Sequence, residues 1–239
     1  MRITCISDTH TKQRYIEPAF LPGGDLLIHA GDLMNSGRDP VDIEDFMSWF
    51  DSQTQYRTQV FIAGNHDRLF ELQPDKALEI VEDYNNPVYL QDESMLFINS
   101  DWEPVRLYGS PWQPWFHNWA FNLPRKGVEL MSKWEQIPSN TDILITHGPP
   151  MGYGDTSGAP YNEPNLGCEL LRARVDVIKP KIHVFGHIHG GYGYYFNGHT
   201  HFINAAILDE RYNYTNQPIT FDWNPETNEL NFIENENIK

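Results

Sequence analysis

The chain has 239 residues, with 17 Lys and Arg against 33 Asp and Glu, giving a net charge of −16. With 40% apolar and 13% aromatic residues it can bury a sizeable core, while the acidic balance and the lack of any basic run argue against a long nucleic acid as partner. Cations would be attracted instead. Two cysteines, Cys5 and Cys168, are too few for a disulfide framework and read as buried thiols.

The opening "MRITCISD" already reads as a strand. It leaves no room for a signal peptide, and no apolar run reaches membrane-spanning length, so the expectation is a soluble cytoplasmic protein. The first apolar run covers residues 3–7 and delivers Asp8 and His10. The second, 26–30, delivers Gly31 and Asp32. Asp39 and Pro40 form a cap and first-turn pair, leading into a helix with Val41, Ile43, Phe46, Met47 and Phe50 on one broad face. The run 60–63 ends in Gly64, Asn65, His66 and Asp67. Helical patterns follow at 74–83 and 128–136, with a strand at 105–108 between them. The strand at 143–146 ends in His147 and Gly148, and a helix over 166–177 stops before Pro180. The strand at 182–185 ends in Gly186, His187 and His189; strands at 202–206, 219–223 and 230–233 close the chain.

Near-continuous Val, Ile, Leu and Phe in these runs argues for strands covered on both faces. Alternation with helices, followed by a strand-rich tail, gives an α/β class. The expected architecture is a four-layer α-β-β-α sandwich of two mixed sheets flanked by helices. No linker or internal repeat interrupts the chain, so residues 1–239 read as a single domain.

Five strand ends each deliver a ligand-capable side chain. In open α/β sheets, sites form at the carboxyl ends of strands, so these residues can meet at one rim. Singly, each fragment has a plain reading: Asp-x-His as a turn cap, "GNHD" as a turn, His147 as a hydrogen-bonded structural residue, "GHIH" as a polar loop. Together they point to a metal site. Imidazoles, carboxylates and one amide, without thiolate, suit Mn, Fe, Co, Ni or Zn better than Ca or Mg. Seven donors are too many for one tetrahedral ion and suit two ions sharing a bridge.

The order Asp-x-His, Gly-Asp, Gly-Asn-His-Asp, Thr-His-Gly, Gly-His-x-His resembles the calcineurin-like metallophosphoesterase superfamily over nearly the whole chain. The stretches "GSPWQPWFHNWAFNLPR", "THGPPMGYGD", "HVFGHIHGGYG" and "FINAA" are similar to its metallophosphoesterase-domain-containing, brain-type subgroup, whose members hydrolyse cyclic nucleotides and related diesters weakly. The resemblance implies one metal at Asp8, His10, Asp32 and His189 and a second at Asp32, Asn65, His147 and His187. Asp32 would bridge, and manganese would be the favoured ion. His66 would be a catalytic residue that does not ligate, supported by Asp67, where that subgroup usually has Glu. Some animal members lack the first His of "GHIH"; here His187 is present. A hydroxide between the ions would attack a small phosphodiester or nucleotide. A phosphomonoesterase, a nucleotide pyrophosphate hydrolase and a non-catalytic scaffold are the alternatives; oligomeric state is left open.

The aromatic stretch 109–125 holds Trp112, Trp115, Phe116, Trp119 and Phe121. It reads either as a stacking wall for a nucleobase, with His117 or Asn118 at the base edge, or as a core patch or dimer face. Tyr153 and Asp155 either line the pocket or shape a loop. His29, His183, His199 and His201 lie in strand patterns and read as structural, with His183 placed to brace a ligand from behind.

Overall fold

The computed structural model describes residues 1–99 and 103–233. In chain order its elements are β1 (Arg2–Ile6), β2 (Gly24–His29), α1 (Pro40–Asp51), β3 (Tyr56–Phe61), α2 (Arg68–Leu72), α3 (Pro74–Glu82), β4 (Pro87–Tyr89), β5 (Glu93–Ile98) and β6 (Pro104–Ser110). Next come β7 (Gln113–Pro114), β8 (Asn122–Leu123), α4 (Val128–Glu135), β9 (Ile143–Thr146), α5 (Glu169–Ile178), β10 (Ile182–Phe185), β11 (Gly193–Phe196), β12 (His201–Asn204), β13 (Ile219–Asn224) and β14 (Glu229–Phe232).

Two six-stranded mixed sheets carry the fold, in the orders β14-β13-β1-β2-β3-β4 and β11-β12-β10-β9-β6-β5. Their central strands run parallel, and β13, β14, β11 and β5 run antiparallel to their neighbours. Side-chain alternation along the strands builds four layers. Ile3, Cys5, Leu26 and Ile28 of the first sheet meet Ile143, Ile145, Ile182 and Val184 of the second between the sheets. Leu27 and Phe61 face outward onto Phe46 and Phe50 of α1 and Ala77 and Val81 of α3. Leu144 and Phe185 face outward onto Leu130 and Trp134 of α4 and Leu171 and Val175 of α5. This is the expected sandwich.

Local chemistry sets the helix ends. The Asp39 carboxylate accepts from Val41 N, and Pro40 occupies the first turn of α1. α5 begins later than the pattern suggests, because Leu166 N and Gly167 N are held in a loop by the Asp155 carbonyl and carboxylate. Cys168 therefore caps α5 rather than lying inside it. The helix ends at Lys179 in a left-handed conformation just before Pro180. Strands β4, β5, β7, β8 and β11 and helix α2 carry weak sequence signals. In β5 only Phe97 is buried, as befits an edge strand. No helix among the described residues is long and apolar enough to cross a membrane.

The carboxyl ends of the parallel strands in both sheets gather at one rim. A bridge between Ser7 and Ala206 and the bond from Ile207 N to Ser7 O (3.1 Å) tie the sheets together there. Loops after β1, β2 and β3 thus face loops after β9, β10 and β12.

Candidate metal centre

That rim brings together all seven donors picked out in the sequence. Three groups have ligand atoms mutually within 4.8 Å: Asp8, His10 and His189; His10, Asp32 and His66; and Asp32, His147 and His187. Asn65 joins the last through Oδ1, 2.9 Å from His147 Nε2. Asp32 belongs to two groups, with Oδ2 3.6 Å from His10 Nε2 and 3.4 Å from His147 Nε2. His189 Nε2 lies 3.3 Å from Asp8 Oδ1.

Backbone shape makes this possible. Asp8, His10, Asp32 and His187 have φ of 54°, 41°, 60° and 65°, the left-handed region that costs a non-glycine residue about 1–3 kcal/mol. The neighbouring glycines leave room that no side chain could share. A Cβ at Gly186 would fall on Asp8 Oδ2 and Ser7 Oγ, and one at Gly64 on Asp32 Oδ1.

The imidazoles are oriented from behind. Nδ1–H of His10, His147 and His189 donates to the carbonyls of Met34 (3.1 Å), Ala30 (3.0 Å) and Asp209 (2.9 Å). Each ring therefore turns Nε2 into the centre, the arrangement metal-bound histidines use. His10 Nε2 is buried with no hydrogen-bond partner among the described residues and faces the Asp32 carboxylate. A lone pair aimed at an anion in a buried space calls for a cation between them, and the donor set fits divalent transition metals.

Charge tells the same story. Burial lowers the His147 imidazole, but the charge and hydrogen bond of Asp32 overcome this and hold it up at about 9. Burial is likewise overcome at His189 by Asp8, again to about 9. Burial raises Asp8 and Asp32, yet their imidazole partners keep both below the usual carboxylate range. Burial dominates at His10 and His187, pushed down to about 4 and about 3.

The model of the calcineurin-like phosphoesterase family matches residues 1–191. The chain belongs to the calcineurin-like phosphoesterase family. It is therefore a phosphoesterase hydrolase. It is 39% identical over 242 residues to human metallophosphoesterase domain-containing protein 1, covering 92% of this chain and 70% of that protein. It is 34% identical over 252 residues to UPF0046 protein T07D4.2 of Caenorhabditis elegans, covering 93% and 60%. Among solved structures, TT1561 of Thermus thermophilus has the same fold, with TM-score 0.64, 14% identity and 97% of both chains covered.

In this calcineurin-like phosphoesterase Asp67 does not support the His66 ring in the way the resemblance implies. Its carboxylate accepts four backbone N–H groups, from Asp32 (2.9 Å), Leu33 (3.3 Å), Met34 (2.8 Å) and Gly64 (2.7 Å). Those donors pin the loop that carries Asp32. Burial and the Asp32 charge push the Asp67 carboxyl up, against the pull of those N–H groups. His66 instead donates Nδ1–H to the Asn35 carbonyl (2.5 Å) and stacks on Trp119 at 4.0 Å and 19°. Its backbone N–H donates to Asp32 Oδ1 (2.7 Å).

The aromatic stretch divides. Phe121 is buried, Trp112 packs on it edge-to-face, and Trp119 braces His66. Trp115 and Phe116 are exposed, and the Phe116 ring lies 5.4 Å from that of His187. His117 and Asn118 are exposed. Tyr153 stacks on Phe202 at 3.9 Å, and Asp155 accepts from Gly152 N and Gly167 N, so both shape the outer layer and its loop. His183 Nε2 bonds Thr146 Oγ1 (2.8 Å), bracing the strand end that carries His147. His29 bonds Thr9, His199 the Lys179 carbonyl, and His201 both Tyr194 and the Asn228 carbonyl.

A cleft of about 110 Å³ opens onto the donors, lined by His10, Asp32, Asn65, His66, His187 and His189, with Phe116, Glu210 and Tyr212. Glu210 and Tyr212 escape sequence reasoning, because they sit in a polar turn with no motif. Tyr212 places its ring 4.9 Å from His10 and 5.4 Å from His189. Burial, then the charges of Asp32 and Asp8, push its phenol up to about 12, so it stays an O–H donor at neutral pH.

Proposed function

We propose that the chain is a metal-dependent phosphodiesterase acting on small diesters, cyclic nucleotides foremost. The observation that carries this is the sharing of Asp32 between two sets of inward-turned imidazoles, in a cleft lined by no Lys or Arg. A phosphate needs positive charge, and with no Lys or Arg in the lining, bound cations taking the place of the imidazole protons would supply it. Asp8, His10, Asp32 and His189 would hold one ion, and Asp32, Asn65, His147 and His187 the other. Manganese is the first choice; iron, zinc, cobalt and nickel suit the same donors. When bound, such a pair neutralises phosphoryl oxygens and acidifies water enough to give a nucleophile near pH 7.

The chain's own residues do the rest. The left-handed turns at Asp8 and Asp32 fix the carboxylates, and the carbonyls of Met34, Ala30 and Asp209 fix the imidazoles. The Asn35 carbonyl holds His66 Nδ1–H, so only Nε2 is left to exchange a proton. From there His66 donates to a phosphoryl oxygen or to the leaving alkoxide, help worth roughly 10²–10⁴ in rate. Trp119 keeps that ring in place. The acidic surface repels long polyanions, favouring small substrates in a domain that runs the length of the chain.

Elemental analysis of the purified protein, followed by hydrolysis of bis(p-nitrophenyl) phosphate and p-nitrophenyl phosphate with Mn²⁺, tests this reading. Two divalent ions per chain and faster turnover of the diester are expected, and His66→Ala should keep the metal while slowing turnover at least a hundredfold. A metal-replete protein that hydrolyses neither ester would refute the proposal. Faster cleavage of the monoester would replace it with a phosphomonoesterase.

A further inference from the structure

One wall of the cleft is the turn at residues 209–213, and it is locked on itself. The Asp209 carboxylate accepts from Arg211 N (2.8 Å), Asn213 N (2.8 Å) and Asn213 Nδ2 (3.1 Å), while Asp209 N donates to the Asn213 carbonyl (2.9 Å). The Asp209 carbonyl accepts twice, from Tyr212 N (2.8 Å) and from His189 Nδ1 (2.9 Å). One backbone oxygen therefore sets both the imidazole of a candidate ligand and the place of Tyr212. From outside the turn, Lys12 Nζ donates to the Tyr212 carbonyl.

Tyr212 has φ of 61°, the left-handed region that favours glycine and that a bulky residue rarely adopts. The turn holds it there with its ring against three imidazoles, at centroid distances of 4.9 Å from His10, 5.4 Å from His189 and 6.2 Å from His66. Yet the residue is 38% exposed. An open aromatic kept in a disfavoured conformation over the candidate ligands is placed for contact rather than for packing. Its hydroxyl has no hydrogen-bond partner among the described residues. Of the residues lining the cleft, Tyr212 alone carries a hydroxyl. Its neighbour Glu210 brings a carboxylate whose Oε1 already accepts from Gly158 N (2.6 Å) and Gly190 N (3.0 Å).

We propose that Tyr212 is a further catalytic residue, its hydroxyl donating a hydrogen bond to a non-bridging oxygen of the phosphoryl group as charge gathers there in the transition state. This rests on the phosphoesterase reading of the cleft. The hydroxyl keeps its proton throughout, and proton donation stays with His66 Nε2. Tyr212 contributes a fixed dipole where negative charge develops, and the locked turn removes the need to reorganise it when substrate arrives. A neutral donor serves here where Lys or Arg would not, because a fixed cation would be drawn to Asp8 and Asp32 and compete with the metal ions.

Tyr212→Phe removes the hydroxyl and keeps the ring. In the manganese-loaded protein, turnover of bis(p-nitrophenyl) phosphate should fall roughly ten- to a hundredfold, the usual worth of one hydrogen bond to a charged oxygen. KM should stay within about twofold, because the bond strengthens only in the transition state. Calorimetric titration with orthovanadate, which adopts the trigonal-bipyramidal shape of that state, should show a comparable loss of affinity. Metal content by elemental analysis and Tm should match the wild type, whereas a purely structural role would move one or both. Wild-type turnover and vanadate affinity in the variant would overturn the proposal and leave the phosphoesterase reading intact. A fall in turnover that comes with a lost ion would overturn it as well, by showing that Tyr212 acts through the ligands. If the wild-type protein hydrolyses no ester, the phosphoesterase reading fails, and vanadate affinity still decides whether the hydroxyl meets an oxyanion.

Discussion

Loading the centre with metal should expel protons, and the number can be worked from the structure. In the metal-free protein His147 and His189 are held at about 9 by Asp32 and Asp8. At pH 7 both imidazoles are almost wholly protonated, and a nitrogen that carries a proton cannot ligate. His10 and His187, at about 4 and about 3, are already neutral and release nothing. The two raised imidazoles should therefore lose about two protons at pH 7 and about one in sum near pH 9. Both stand well above the working pH, so deprotonation costs on the order of 3 kcal/mol per ring. Metal binding must offset roughly twice that in all, and the apparent affinity for each ion, which displaces one of the two protons, should rise roughly tenfold per pH unit between about 6 and 8. Calorimetric titration of Mn²⁺ or Zn²⁺ in buffers of different ionisation enthalpy counts the protons directly. His189→Ala should lower the count by about one. Proton release that is unchanged in that variant, or an affinity flat across this range, would show that these rings do not hold protons where the cations belong.

Three further outcomes follow from packing and linkage. Asp67→Asn replaces an acceptor of four N–H bonds by an amide that turns one donor toward them; a loss of about 3–5 kcal/mol is expected, read as a fall of roughly 10 °C or more in Tm. Gly186→Ala puts a methyl onto Asp8 Oδ2 and should empty the Asp8 side of the centre, seen as about one ion fewer per chain by elemental analysis; full occupancy would show that the loop can shift aside. His29 and His183 are buried and pushed down to about 3 from 6.5, so below pH 6.5 the unfolded chain takes up protons that the folded chain refuses. These two rings alone should cost the metal-free protein about 3 kcal/mol between pH 6.5 and 5, measured by urea unfolding in chelator. The raised His147 and His189 do not enter that window, because their contribution is complete below 6.5 and is lost only as pH rises through about 9.

The donors were legible in the sequence because each sits within four residues of an apolar run, and parallel strand ends share a rim. Asp8, Asp32, Asn65, His147 and His187 need only that rule to be placed near one another. The role of Asp67 is hidden because its partners come from the loop at Asp32–Met34 and from Gly64, and no local pattern announces a carboxylate that bonds backbone from a distant turn. Trp119 hides for a related reason: an aromatic stretch looks alike whether a ring packs, stacks on a histidine or waits for a ligand. Only exposure separates Trp115 from Phe121. β5 escapes because an edge strand with one buried residue leaves no apolar run to read.

The centre joins two demands that oppose each other in a free chain. For the proposed pair of ions Asp8 and Asp32 must lie close together, in backbone conformations that favour glycine, and both are fully buried. Two buried carboxylates repel, and in water the chain would relax away from this shape. The sheets prevent that relaxation: Ile6, Ile28 and Phe61, wholly buried just before the ligand loops, fix where each loop starts. The residual repulsion is met by the protons on His147 and His189, which sit between the carboxylates and their partners as small stand-ins for metal charge. A protein so built has its ligand geometry set before any cation arrives, and binding exchanges one kind of positive charge for another with little movement of the chain. It follows that the energy of organising the site was spent in folding the two sheets, so substitutions deep in the strands should weaken metal affinity without touching a ligand.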